Sequence, residues 1–184
     1  MKMKRIPFLR PAMPPLARVL PGLGRVWRRS YFTNFGPEER SLSARLSARF
    51  DGREVILASN GTIALEIALE AMGVRGRPVY LPSFTFSATA HAVVRMGGLP
   101  RWVEIDPATW NLDPEALPPR LERGAILLPV HVFGVPADDE RLTARGRPIL
   151  YDACEAVGSR RGGRDVALLG EASCFSLHAT KLLP

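Results

Sequence analysis

The chain has 184 residues with 46% hydrophobic and 23% charged content, the composition of an ordinary soluble globular domain with enough apolar material for a sizeable core. Its two cysteines, Cys154 and Cys174, form no C-x-x-C pair and sit near no histidine cluster; this argues against a disulfide framework and a zinc site, and fits a reducing cytoplasm. The net charge of +7 is concentrated at one end, because residues 1–30 hold eight basic residues and no acid (Lys2, Lys4, Arg5, Arg10, Arg18, Arg25, Arg28 and Arg29).

That segment reads as a basic, Pro/Gly-rich extension, with residues 1–24 irregular and Leu16 to Arg29 able to hold a short helix. Without interleaved aromatic residues or a recognition motif, it points to neither nucleic acid nor a membrane. Arginines and prolines break its apolar stretches, so a signal peptide is not expected. No stretch of the chain approaches the roughly 20 apolar residues of a membrane span.

Pro37 followed by Leu42, Leu46 and Phe50 predicts an amphipathic helix over residues 38–50. From there strands and helices alternate. Strands are expected at 55–58, 79–81, 101–105, 125–130, 149–151 and 172–176. Helices are expected at 62–72, 87–96, 114–122 and 137–144. Such alternation predicts an α/β fold, a mostly parallel sheet sandwiched by helices. Ligands of such sheets bind beyond the carboxyl ends of the strands.

Several polar residues fall just past a strand end. Ser59-Asn60-Gly61-Thr62 joins a strand to a helix, where backbone N–H groups and the helix dipole can hold a phosphate, or where Ser59 or Asn60 can simply cap the helix. Asp152 follows Pro148-Ile149-Leu150-Tyr151; a carboxylate there can pair with a protonated ring nitrogen or cap a turn. Phe84-Thr85-Phe86 can cover a planar ring or join the core. Lys181 is the one lysine beyond the N-terminal tail, which holds Lys2 and Lys4, in a chain whose other basic residues are all arginine. Unlike a guanidinium, a lysine amine can lose its proton and attack a carbonyl carbon. His91, His131 and His178 are too widely spaced to suggest a metal site. Together a phosphate cradle, an aromatic cover, a strand-end aspartate and a strand-end lysine describe a pyridoxal phosphate site.

These motifs resemble the DegT/StrS-type sugar aminotransferases, whose large domain has the aspartate-aminotransferase-like fold of pyridoxal-phosphate enzymes. The likeness runs from about Ser30 to Leu183. It is carried by Tyr31-Phe32-Thr33-Asn34-Phe35-Gly36-Pro37, Ser59-Asn60-Gly61-Thr62-Ile63, Pro82-Ser83-Phe84-Thr85-Phe86, Asp106-Pro107-Ala108-Thr109-Trp110, Pro129-Val130-His131-Val132-Phe133-Gly134, Asp152-Ala153-Cys154-Glu155 and Cys174 to Lys181. The resemblance implies that Lys181 forms the Schiff base with pyridoxal 5'-phosphate, Asp152 pairs with the pyridine nitrogen and Phe86 stacks on the ring. It implies that Thr62, the backbone at Ile63 and the Ser176 hydroxyl hold the phosphate. Glu155 falls beside the cofactor's phenolic oxygen, where the family often has glutamine or histidine, and His91 stands where asparagine is common.

The implied reaction moves an amino group from an amino acid, glutamate in the first instance, to a keto group of a nucleotide-linked sugar. Lysine at position 181 favours transamination over the family's dehydratases, which carry histidine there. Family members are about twice as long, so residues 31–184 are expected to be a large domain that is incomplete at its C-terminus, without the small domain that completes the substrate pocket and the homodimer. The alternative is a truncated relative that is catalytically silent or binds a partner.

Overall fold

Successive side chains of the central strands are buried on opposite faces of the sheet, and that alternation organises the molecule into two apolar layers. The computed structural model describes residue 11 and residues 13–181. The first ten residues, with Lys2, Lys4, Arg5 and Arg10, lie outside the described residues, as does Leu183, where the family likeness ends.

Strand β1 (Pro78–Pro82) is buried along its whole length. It pairs in parallel with β2 (Leu99–Val103) on one side and β3 (Ile126–Leu127) on the other. Parallel bridges at Leu127–Ile149 and Val130–Asp152 carry the sheet on to β4 (Leu150–Asp152). Beyond it lies β7 (Ala172–Cys174), parallel to β4, with Asp152 opposite Cys174. The spatial order is therefore β2-β1-β3-β4-β7. Between β4 and β7 the chain forms an antiparallel hairpin, β5 (Arg160–Arg161) and β6 (Arg164–Asp165), turned by Gly162 and Gly163 at positive φ.

On one face Val79, Leu81, Ile126, Leu128 and Leu150 pack against the helices α3 (Gly61–Ala71) and α4 (Ser87–Arg95) through Leu65, Leu69, Ala92 and Val93. On the other, Tyr80, Leu127, Ile149 and Tyr151 meet Leu112, Leu117, Leu142, Val166 and Leu169. This second layer comes mostly from turns and the short helix α5 (Asp139–Thr143). Each fully buried leucine contributes about 1.5–3 kcal/mol of transfer free energy, so both faces drive the sheet's closure.

Three sequence expectations change. The helix expected over residues 114–122 is one 3-10 turn, Pro114–Ala116. Pro118 and Pro119 remove two N–H donors and push the preceding residues out of helical geometry. The short helix allowed over Leu16 to Arg29 forms with those bounds, as α1 (Leu16–Arg29), and replaces the irregular reading of residues 16–24. Its apolar residues Leu16, Leu20, Leu23 and Trp27 fall on one face and its arginines opposite, and Arg25 and Arg29 both bind Glu38 at the start of α2 (Pro37–Arg49). The segment expected as a strand over residues 55–58 pairs with no strand among the described residues. It borders a cleft of about 670 Å³ whose lining includes Val55, Ile56, Ala172 and Phe175.

Candidate active site

The carboxyl ends of β4 and β7 and the amino end of α3 converge, and glycine at position 61 allows it. A Cβ on Gly61 would stand 2.8 Å from Cys154 Sγ and 3.4 Å from the Ser176 Cβ. The helix start is thereby pressed against the residues that follow both strands. Asn60 caps α3, its Oδ1 accepting from the Ile63 N–H at 2.9 Å. Thr62 is half-buried in the first turn. Across from Gly61, the Ser176 Oγ accepts from the His178 N–H at 3.3 Å. Two hydroxyls and a helix amino terminus with its dipole suit an anion such as a phosphate. The Ile63 N–H, expected to be free for that anion, is held by Asn60 in this conformation.

Asp152 ends β4 and is 6% exposed. Its Oδ2 accepts from the Thr89 hydroxyl of α4 at 2.7 Å and its Oδ1 from the Cys154 N–H at 3.1 Å. One lone pair on each oxygen remains for a further donor. Burial, and next the nearby Asp152 carboxylate, push both thiols up: Cys174 to about 12, and Cys154 higher. Both are therefore protonated at neutral pH and poor nucleophiles.

Lys181 lies 2.7 Å from Glu155 Oε1 through its Nζ, while Glu155 Oε2 accepts from the Phe133 N–H at 3.2 Å. Phe133 sits at φ 50°, a left-handed conformation that is unusual for a bulky residue. The Lys181 N–H donates to the His178 carbonyl at 2.8 Å, so the lysine is held by both its backbone and its side chain. Phe86 precedes α4 and is 79% exposed. Its main chain is tied to the cluster because the Thr89 N–H donates to the Phe86 carbonyl at 3.0 Å.

The contacts thus link Asp152, Glu155, Lys181, Ser176 and the start of α3 at one end of the sheet. Phe86 joins them through its backbone alone, and His91 is exposed on α4. The residue that sequence reasoning missed is Thr89, fully buried. A hydroxyl at helical spacing with the core residues Ala92 and Val93 was the available signal. The cleft of about 670 Å³ is lined by Gly61 and Ser176 but by none of Phe86, Asp152, Glu155 and Lys181. Among the described residues no group of three or more His, Cys, Asp or Glu side chains could hold a metal ion, and no helix is long and apolar enough to cross a membrane.

The residues fit pyridoxal phosphate on three counts of chemistry: an amine, a buried carboxylate with lone pairs to spare, and an anion cradle. Comparison with known proteins agrees. Residues 20–184 match the model of the DegT/DnrJ/EryC1/StrS aminotransferase family. The chain is 36% identical to a dTDP-4-amino-4,6-dideoxy-D-glucose transaminase of Shigella dysenteriae, over 97% of this chain and 50% of that protein. The crystal structure of a 3-amino-5-hydroxybenzoic acid synthase superposes with a TM-score of 0.88 at 32% identity, covering 96% of this chain and 48% of the other. DesI, solved with its TDP-sugar product, gives a TM-score of 0.84 at 33% identity, covering 94% and 45%. The chain spans about half the length of the relatives it matches.

Proposed function

Because the chain belongs to the DegT/DnrJ/EryC1/StrS aminotransferase family, we propose that it binds pyridoxal 5'-phosphate through Lys181 and serves the transfer of an amino group from an amino acid, glutamate in our reading, to a keto group of a nucleotide-linked sugar. The observation that carries this reading is that Cys154 and Ser176 stand against Gly61 at the amino end of α3, while Asp152 accepts from the Cys154 N–H and the neighbouring Glu155 binds Lys181. The sugar substrate rests on the relatives, one named as a dTDP-sugar transaminase and one solved with a TDP-sugar product.

The bound cofactor supplies an electron sink for the carbon that loses its proton. The chain's own groups do the rest. Asp152 offers a negative charge to the ring nitrogen and so favours its protonated form. Lys181 would hold the cofactor through its amine, and that amine, when free, would move a proton as base and then as acid. Thr62, Ser176 and the first N–H groups of α3, Ile63 included, hold the phosphate, with the Asn60 cap giving way. Phe86 covers one face of the ring. Residues 31–184 form the cofactor-binding large domain, residues 1–30 an extension, and the enzyme works in the cytoplasm as a homodimer.

Borohydride reduction of the protein with pyridoxal phosphate, followed by peptide mapping, should place the label on Lys181. A label elsewhere, or none on folded protein, overturns the assignment. Treating the loaded protein with glutamate and following cofactor absorbance tests the donor; no spectral change with glutamate, alongside a change with another amino acid, reassigns it.

A further inference from the structure

Asp152 is held from behind by a directed chain of hydroxyls. Its Oδ2 accepts from Thr89 Oγ1 at 2.7 Å, and Thr89 Oγ1 lies 2.7 Å from Thr85 Oγ1. A carboxylate only accepts, so the Thr89 proton belongs to Asp152. Thr89 then has no proton left for Thr85, and the Thr85 hydroxyl must donate to Thr89. The competing acceptor for Thr85, the Phe86 carbonyl, is 3.5 Å away. The relay therefore runs Thr85 to Thr89 to Asp152. The second carboxylate oxygen is fixed from another direction by the Cys154 N–H. Two donors from two elements leave the carboxylate plane a single orientation.

Thr85 and Thr89 flank Phe86, and the Thr89 N–H bonds to the Phe86 carbonyl. We infer that Thr89, backed by Thr85, is a positioning residue that aims the Asp152 carboxylate at the cofactor's ring nitrogen, so that the start of α4 sets both the ring's cover and the partner of its nitrogen. This rests on the pyridoxal-phosphate reading above. Thr89 touches neither cofactor nor substrate; it acts through Asp152. Both threonines precede or open a helix, where a hydroxyl costs little, and Thr89 is fully buried, where an unmet hydroxyl would be expensive.

The test compares Thr89→Val, Thr89→Ser and Thr85→Val with the unaltered protein. Two quantities are read: the dissociation constant for pyridoxal phosphate and the pH at which the absorbance of the bound cofactor changes. Losing a buried hydrogen bond to a charged group predicts a roughly 10- to 100-fold weaker affinity for Thr89→Val. Its spectral midpoint moves, because the ring nitrogen loses an aligned partner. Thr89→Ser, which keeps the hydroxyl, restores both values. Thr85→Val weakens affinity by less than Thr89→Val. If Thr89→Val binds and titrates as the unaltered protein does, or Thr89→Ser is as impaired as Thr89→Val, the relay is packing only and the inference fails. Should Thr89→Val not fold, Thr85→Val decides by the same readouts, since an unchanged spectrum and affinity there overturn the relay. Failure of the unaltered protein to take up the cofactor overturns the cofactor reading itself, whereas uptake with an indifferent Thr89→Val overturns the relay alone.

Discussion

Glu155 joins Lys181 to the Phe133 backbone, one carboxylate oxygen 2.7 Å from the lysine Nζ and the other 3.2 Å from the peptide nitrogen. The pair is partly open to solvent, with side chains 27% and 38% exposed, so its contribution to stability is small, about 1 kcal/mol or less. In the site proposed above, its consequence is for the cofactor. A carboxylate placed beside the phenolic oxygen of pyridoxal phosphate opposes negative charge on that oxygen. Glu155→Gln keeps a hydrogen-bonding side chain of the same length and removes the charge. The variant should melt close to the unaltered protein and bind pyridoxal phosphate several-fold more tightly, measured by fluorescence titration. Weaker binding would instead make the carboxylate a required part of the site.

Gly61 supplies a second prediction. A methyl group at this position meets Cys154 Sγ at 2.8 Å, closer than real side-chain contacts, so Gly61→Ala should cost about 1–3 kcal/mol in denaturant unfolding. Cys154→Ala removes the obstructing sulfur. The double variant should recover much of the loss, a coupling between residues 93 positions apart in sequence that only close packing explains. Additive costs would place the clash elsewhere.

The residues that were legible in advance share a cause. Asp152 and Lys181 come after strands whose apolar runs are bounded by turn signals, and Gly61 opens a helix with a clear apolar period, so the alternation of elements made these positions readable. The partners they use were not legible. Thr89 meets Asp152 across 63 residues, and Lys181 meets Glu155 across 26, distances over which no local pattern reports. The segment at residues 55–58 has the residue types of a strand, but pairing is a property of two segments and none of the described strands pairs with it. The β5–β6 hairpin has four polar strand residues and only Gly162-Gly163 to announce it. The helix expected over residues 114–122 overlooked a local signal, because Pro118-Pro119 cannot sit inside a helix.

Arg53 holds that unpaired segment to the body of the fold. Its guanidinium donates to the carbonyls of Ala167 and Leu169, both at 3.1 Å, and of Gly170 at 2.8 Å. A lysine ammonium is a compact point donor and cannot span three carbonyls in a plane. Arg53→Lys should therefore lower stability by about 1–3 kcal/mol despite conserving charge. Hydrogen exchange should show the loss first in residues 53–58 and 167–170. A variant as stable as the parent would mean that the apolar contacts of Phe50 with Phe175, whose rings stack at 5.7 Å, suffice to hold the segment.

His131 makes the acid limb of stability testable. The ring is fully buried and stacked on Tyr151 with centroids 4.5 Å apart. Its Nδ1 accepts from the Ala137 N–H at 2.9 Å, which requires the neutral ring with its proton on Nε2. Protonating Nδ1 would set two N–H groups against each other. Burial holds the ring's pKa down at about 4, against 6.5 for a free histidine. The unfolded chain therefore binds a proton between these values that the folded chain refuses, and stability rises with pH across that window. The contribution is fully present above about 6.5 and is lost as pH falls toward about 4; by about pH 4.5 the loss amounts to about 2.5 kcal/mol. His131→Gln keeps an acceptor for Ala137 and cannot titrate. Urea midpoints at about pH 7 and about pH 4.5 should show the parent losing about 2.5 kcal/mol more than this variant. Equal losses in the two proteins would assign the acid sensitivity to the carboxylates instead, and would mean that His131 accepts its proton without leaving the fold.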